Sequence, residues 1–337
     1  MKKKIIAAIL TAAMVGTCLM GCGNGTGTES EGAEGANSTA TTATLDIAYQ
    51  YGLAYAPLMI AQEQGMIEEA YKELTGDEVV VNWNQMSSGA DINTGIAGGS
   101  IQVGFMGIAP AITGVMSNVG YKIFTNLSGQ EHGLMTNDAN ITSLEDLVGS
   151  DKQIALVNIG SIQHITLAKA LVNAGLDAHA LDANLVAMKH PDGKTALESG
   201  SIPCHLTSSP YIYQERENES LYEIPGVDQV FSVEDSFIVG VASESLNAEN
   251  PQLYEALCTA IGEAIDYMNE NTEEAAKITC VYDGNDEATE LQYLEKGYYS
   301  TQTKGVFDLA VFMAENGFIE QAPGEYYDLA FNNVAGN

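Results

Sequence analysis

The segment GSIQVGFMGIAP, Gly99 to Pro110, is echoed about a hundred residues later by GSIPCHLTSSP, Gly200 to Pro210. Each copy follows a helix-like run, reads as a short strand, and ends in small residues and a proline. The contexts repeat as well. Upstream of the first copy, TLDIAYQYG alternates apolar and polar residues at the period of a strand, and APLMIAQEQGMIEEAYKELTG reads as a helix with proline at its start and glycine at its close. EVVVNWNQM gives a second strand and SSGADINTGIAGG a capped short helix. Upstream of the second copy, KQIALVNI is a strand, GSIQHITLAKALVNAGL a helix, ANLVAMKH a strand and DGKTALESG a helix. The chain therefore holds two β-α-β-α-β units whose third strands are the echoed segments. Each unit predicts a sheet with helices on its faces, and two such units facing one another make a cleft.

The flanks carry different information. Lys2, Lys3 and Lys4 precede an apolar run from Ile5 to Val15 that is too short to span a bilayer, and Leu19-Met20-Gly21-Cys22 resembles a bacterial lipobox. Residues 1–21 are thus expected to be a lipoprotein signal peptide, with Cys22 as the lipid-bearing residue. Residues 22–43, rich in Gly, Ser, Thr, Ala and Glu, bury too little surface to fold and read as a flexible tether to a membrane. The remainder is larger than one hydrophobic core commonly serves, which predicts two lobes. SFIVGVASESL is a further strand, Asn250-Pro251 caps a periodic helix through Leu253, Leu257, Ile261, Ile265 and Met268, and helices are expected near Asn285 to Gly297 and Val306 to Asn316.

With 13 Lys and Arg against 45 Asp and Glu, the chain carries a formal charge of −32, which excludes nucleic acid as a partner. Arg216 is the only arginine. A bound anion must then be held by backbone amides, hydroxyls, Asn or Gln, or a lysine, because guanidinium clamps are almost absent. Cys204, Cys258 and Cys280 lack CxxC spacing and read as buried small hydrophobes.

Five stretches, YQYGLAYAPLMIAQEQGMIEE, MSSGADINTGIAGGSIQVGFMGIAPAI, SLEDLVGSDKQIALVNIGSIQHITLAKAL, ALESGSIPCHLTSSPY and FIVGVASESLNAENPQLYEAL, together resemble the substrate-binding proteins of ABC importers in the taurine, aliphatic sulfonate and nitrate group. That group includes relatives that bind thiamine-precursor pyrimidines. The resemblance implies an α/β chain of the type 2 periplasmic-binding-protein fold, two lobes with a ligand cleft and two hinge crossings near Glu131 to Leu134 and Asp235 to Val239. It implies residues 44–132 with 239–337 as lobe 1, residues 133–238 as lobe 2, and a monomer that closes on a solute and delivers it to a membrane permease and its ATPase.

Ligands of open α/β sheets sit beyond the carboxyl ends of the strands. Ser87, Ser88 and Gly89 offer hydroxyls and free amides at a helix start, suited to an anion or to a plain N-cap. Gly160, Ser161, Gln163 and His164 form the matching start, and the resemblance places this Gly-Ser-x-x-His segment facing the solute. Ser161 and Gln163 are the expected donors, while His164 is either a contact or a structural support. Tyr51 and Gly52 close the first strand. Met106, Gly107 and Ile108 close one echoed strand and Thr207, Ser208 and Tyr211 the other, so that these segments are expected to form the facing walls. Many sulfonate-binding relatives carry an aspartate or hydroxyl residue where Ile108 stands, a departure that disfavours nitrate and favours a solute with an organic body. Arg216, in the charged run YQERENES, is expected on a solvated surface.

The expected function is capture of a small organic solute, a sulfonate or related anion, with a thiamine-precursor pyrimidine or other heterocycle as the alternative. An enzyme or a solute sensor on the same fold is a further alternative. No HExxH, GxSxG or clustered Cys-His ligands are present, so no catalytic residue, metal or cofactor is expected. His132, His164, His179, His190 and His205 are scattered, with only His190 and His205 loosely near in sequence.

Overall fold

The computed structural model describes residues 42–337. The expected signal peptide, Cys22 and nearly all of the tether lie outside them. Among the described residues eleven strands form two sheets. In chain order they are β1 (Ala43–Tyr49), β2 (Val79–Gln85), β3 (Val103–Gly107), β4 (Tyr121–Gly129), β5 (His132–Thr136), β6 (Ile154–Leu156), β7 (Leu185–Ala187), β8 (Cys204–Ser208), β9 (Tyr222–Ile224), β10 (Ile238–Ser243) and β11 (Tyr298–Tyr299). One sheet has the order β11-β4-β10-β3-β1-β2 and the other β7-β6-β8-β5-β9. The fold is the two-lobed α/β periplasmic-binding-protein type.

The echoed segments occupy equivalent places. β3 lies between parallel β1 and antiparallel β10, and β8 lies between parallel β6 and antiparallel β5. Both copies stop being strand earlier than the sequence pattern implies, because Ile108-Ala109-Pro110 already opens the helix Ile108–Met116 and Tyr211 opens the helix Tyr211–Arg216. The expected single helix from Ala56 onward breaks in two, Ala56–Gln64 and Met66–Thr75, at Gly65, whose φ of 62° is left-handed. Pro251 opens the helix Pro251–Glu270 as expected, but Asn250 makes no side-chain cap. β4, β5 and the helix Thr272–Asp283 carry no clear periodic signal, since β4 and β5 are buried along almost their whole length and do not alternate.

Two crossings join the sheets. The outgoing one runs from β4 to β5 with only Gln130 and Glu131 between them, and the return one leads from β9 to β10. They are tied side by side: Phe237 N donates to Ser128 O at 2.9 Å, Ile108 N donates to Phe237 O at 2.9 Å, and the Phe237 ring stacks on His132 with centroids 5.8 Å apart. Arg216 is not a free surface residue. Its guanidinium donates to Glu131 at 2.6 Å and, through two nitrogens, to Glu223 at 2.9 and 2.6 Å, which braces the outgoing crossing. The tail returns to the six-stranded sheet, where β11 pairs with β4 and Ala330 bridges to Ile123.

One apolar core fills the six-stranded sheet and its helices and continues past the crossings through Ile162, Ile165 and Ile212. A second, with Leu134, Ile154, Leu156, Leu171 and Leu206, lies within the five-stranded sheet. Cys204 and Cys280 are buried, but Cys258 is only half-buried. Among the described residues no helix is long and apolar enough to cross a membrane.

Tyr121 on β4 sets two of the helices that follow the strands of this sheet. Its buried hydroxyl donates to Asn93 Oδ1 at 2.7 Å, and Asn93 Nδ2 donates to Pro110 O at 3.0 Å, which joins the helix Gly89–Ala97 to the helix Ile108–Met116. Tyr121→Phe is expected to cost about 1–2 kcal/mol, the range for stranding a buried polar partner. Thermal denaturation would show this as a melting point lower by a few degrees.

Candidate functional site

The parallel strands of both sheets point their carboxyl ends at one seam. Gln50 and Tyr51 follow β1, Gly89 follows β2, and Gly107 and Pro110 end β3 and enter its helix. From the other sheet, Val157, Ser161 and Gln163 follow β6, His190 follows β7, and Ser208 ends β8. These residues, with Ala54, Tyr55, Ile162, Phe237 and Ile238, line a single cavity. Its volume is about 30 Å³, close to one water's share of the liquid. Solutes need several hundred Å³, so the walls must part before anything organic can enter. A larger groove, between the helices Met66–Thr75 and Pro251–Glu270, lies away from the strand ends and shares none of this lining.

Close approach of the two walls depends on small residues. A Cβ on Gly107 would lie 2.7 Å from Ile162 Cγ2 across the seam, and one on Gly52 3.2 Å from Ser209 O. Lys189 Nζ stands 5.7 Å from the Tyr51 ring centroid, a further contact between the sheets.

The polar centre of the cavity is a chain of three side chains. Gln163 Nε2 lies 3.1 Å from His190 Nε2, and His190 Nδ1 lies 3.1 Å from Thr207 Oγ1. The amide nitrogen is a donor only, so His190 Nε2 accepts and the ring proton sits on Nδ1, donated to Thr207. Burial pushes the His190 pKa down to about 3, helped by the neighbouring His205 ring, so the imidazole is neutral at ordinary pH. Tyr211 stacks on this ring with centroids 5.7 Å apart and planes 25° from parallel. Gln163 is 4 % exposed, and its Oε1 has no hydrogen-bond partner. Among the side chains of the lining residues it is the one buried nitrogen or oxygen without a hydrogen-bond partner among the described residues. Gln50 Oε1, by contrast, accepts from Tyr55 at 3.1 Å.

The residues singled out from sequence take up different places. Tyr51, Gly89, Gly107, Ser161, Gln163 and Ser208 line the cavity, while Thr207 and Tyr211 support His190 from behind. Ser88 is occupied as an N-cap, accepting from Asp91 N at 3.2 Å and donating to Asp91 Oδ2 at 2.9 Å. Ser87, Gly52, Met106 and Ile108 are outside the lining; Met106 and Ile108 are core residues. Gly160 N donates to His164 Nδ1 at 3.1 Å, and His164 Nε2 then donates to Asp182 at 3.0 Å, which makes His164 a brace for the helix start, turned from the cavity. Ser161 caps the same helix, accepting from His164 N at 3.3 Å.

Gln50, Val157, Phe237, Ile238 and above all His190 were not anticipated, whereas Pro110, the end of the first echoed segment, stands in the wall where that segment was expected. His190 follows β7 as Ser87 to Gly89 follow β2, so applying the internal repeat to every strand end would have found it. His205, beneath it, pairs with Glu215 at 2.6 Å. Both are fully buried, and burial drives the histidine pKa down and the carboxyl pKa up, toward two neutral groups sharing one proton. The described residues contain no cluster of three or more His, Cys, Asp or Glu able to hold a metal.

The NMT1-like family profile matches residues 38–281, most of the chain. The chain belongs to the NMT1-like family. Solved structures agree on the fold. The alkanesulfonate-binding protein SsuA from Xanthomonas axonopodis pv. citri superposes with a TM-score of 0.69 at 14% identity, over 88% of this chain and 99% of its own. The ligand-binding component of an ABC-type import system from Staphylococcus aureus gives 0.68 at 13% identity, over 86% and 96%. The nitrate-binding protein NrtA from Synechocystis PCC 6803 gives 0.59 at 16% identity, over 74% and 69%. A search of the curated proteins found no match.

The seam geometry gives a direct test. Gly107→Val should hold the walls apart without disturbing either sheet's hydrogen bonds. Small-angle scattering is expected to show a larger radius of gyration than wild type in this NMT1-like chain, with circular dichroism unchanged.

Proposed function

We propose that this NMT1-like protein captures a small organic solute between its two sheets outside the cytoplasm and presents it to an ABC importer. The fold, the six strand ends meeting at one cavity, and the likeness to binding components of import systems support the reading. We read residues 44–132 with 239–337 as one lobe and 133–238 as the other, closing about the paired crossings. The lipobox-like Leu19 to Cys22 supports an anchor at Cys22 on a tether of about twenty residues, so that a captured solute stays within reach of the permease.

The unpaired Gln163 Oε1 carries the choice of solute. A buried acceptor without a partner costs about 1–3 kcal/mol, and a solute with an N–H or O–H recovers that cost on binding. No Lys or Arg is among the lining residues, His190 is neutral, and the whole chain is strongly anionic. An uncharged, donor-bearing organic molecule, a heterocycle for example, therefore fits better than a sulfonate. A sulfonate or related anion is the second reading, favoured by Ser161 and the helix start Ile162–Asn173 at the cavity wall, where free amides attract negative charge.

A thermal-shift panel separates the two: aminopyrimidines, other uncharged heterocycles and riboflavin on one side, taurine, longer alkanesulfonates, aromatic carboxylates and nitrate on the other. A ligand at a hundred times its Kd stabilises by about 2.7 kcal/mol. The expected result is a shift with a donor-bearing neutral compound, weakened about ten-fold in affinity by Gln163→Leu. Shifts confined to the anions, unchanged in that variant, would establish the second reading instead.

A further inference from the structure

A further contact between the lobes, one of several outside the cavity, lies behind the braced helix start, on the side of His164. The segment before β7 belongs with the five-stranded sheet, fixed by Asn184 Nδ2, which donates to Ser150 O at 3.1 Å and Lys152 O at 2.7 Å. Facing it is the tail of the chain, where the helix Val306–Glu315 packs on the helix Ile108–Met116 of the other sheet and leads into Asn316 and Phe318. His179 bridges the two. Its Nδ1 lies 2.8 Å from Asp182 Oδ2 and its Nε2 lies 2.7 Å from Asn316 O.

Both partners are oxygens without a hydrogen, one a carboxylate and the other a backbone carbonyl. A neutral imidazole carries a single N–H and can satisfy only one of them, whereas the imidazolium donates to both. Phe318 packs against the His179 ring at 4.7 Å and meets the His164 ring edge-on at 5.3 Å, while His164 donates to the other oxygen of Asp182. The groups facing His179 are thus Asp182 and Asp177 of its own segment, the latter accepting from His179 N at 2.8 Å, His164 from the neighbouring helix through the shared Asp182, and the Asn316 carbonyl and Phe318 ring from the tail.

We propose that His179 is a proton-dependent latch between the lobes, closed when its imidazolium joins Asp182 to the Asn316 carbonyl and released when the ring loses a proton. The hydrogen bond to Asn316 and then that to Asp182 raise the His179 pKa above its ordinary value of 6.5. Opening removes the Asn316 contact, so the open form holds the proton less tightly. The latch is therefore fully engaged below about pH 6.5 and is lost as pH rises through the higher value of the closed form. By reciprocity, a solute that binds the closed form is held more tightly at mildly acid pH and let go more readily above it. The ring is 44% exposed, and contacts at such sites are weak, so the closed-to-open ratio is expected to change about two- to five-fold.

The test needs no solute, so its outcome is independent of the solute assignment. Histidine-resolved NMR titration and small-angle scattering of the full chain, from pH 5 to 9, are compared for wild type and His179→Gln, which is neutral throughout. Expected are a His179 pKa above 6.5, a radius of gyration that increases with pH in wild type, and no such pH-dependent change in the variant. A His179 that titrates at or below 6.5, or a variant with the wild-type scattering profile, would overturn the latch.

Discussion

Everything in this molecule follows from the chain passing between two sheets twice at the same place. The backbone of Phe237 accepts from Ile108 and donates to Ser128 while its ring lies flat on His132, so the return crossing is fastened against the outgoing one. A joint of this kind resists shear but lets the sheets swing about it. The antiparallel strands β5 and β10, which carry the crossings, turn the carboxyl ends of the other strands toward one another. Arg216, bound to Glu131 and Glu223, spends the chain's only guanidinium at this joint, and none remains for a solute.

That allocation shapes the electrostatics of the cavity. Its polar atoms come from Gln, Ser, Tyr and a histidine held neutral by burial, lined by apolar Ile162, Phe237 and Ile238. Excluding cations from the walls lowers the cost of closing them in a protein of such negative charge, because no buried ion has to be stripped of water. What the closed walls lack is a partner for Gln163 Oε1, and the proposed solute supplies it. On the opposite side of His164, the His179 contact adds a small closing term that depends on pH, while the apolar core running on through Ile165 and Ile212 opposes separation at every pH.

Much of this was legible in the sequence because the two halves repeat. Strand ends, glycine C-caps and serine N-caps recur at matching places; the capping role of Ser88 was one of its two expected readings, whereas Ser161 was expected only as a donor to the solute and is in fact an N-cap. β4 and β5 were invisible for the opposite reason: buried on both faces, they show no alternation, and the crossing near Glu131 was expected from the family resemblance rather than from any local signal. His190 could have been found by completing the repeat. The Gln163, His190 and Thr207 chain could not, because it depends on the distance between residues on three separate elements. The same holds for His164, whose two nitrogens are taken by Gly160 and Asp182, and for Arg216, whose partners lie on both sides of it in sequence.

In the proposed function the cleft holds an uncharged solute through the buried amide of Gln163. Native mass spectrometry of the full chain equilibrated with a cellular metabolite extract, followed by identification of the released compound, addresses it most directly. Expected is one compound per chain, uncharged and bearing an N–H or O–H group, held about ten-fold more weakly by the Gln163→Leu variant. Retention of an alkanesulfonate or of nitrate, equally by both proteins, would contradict it.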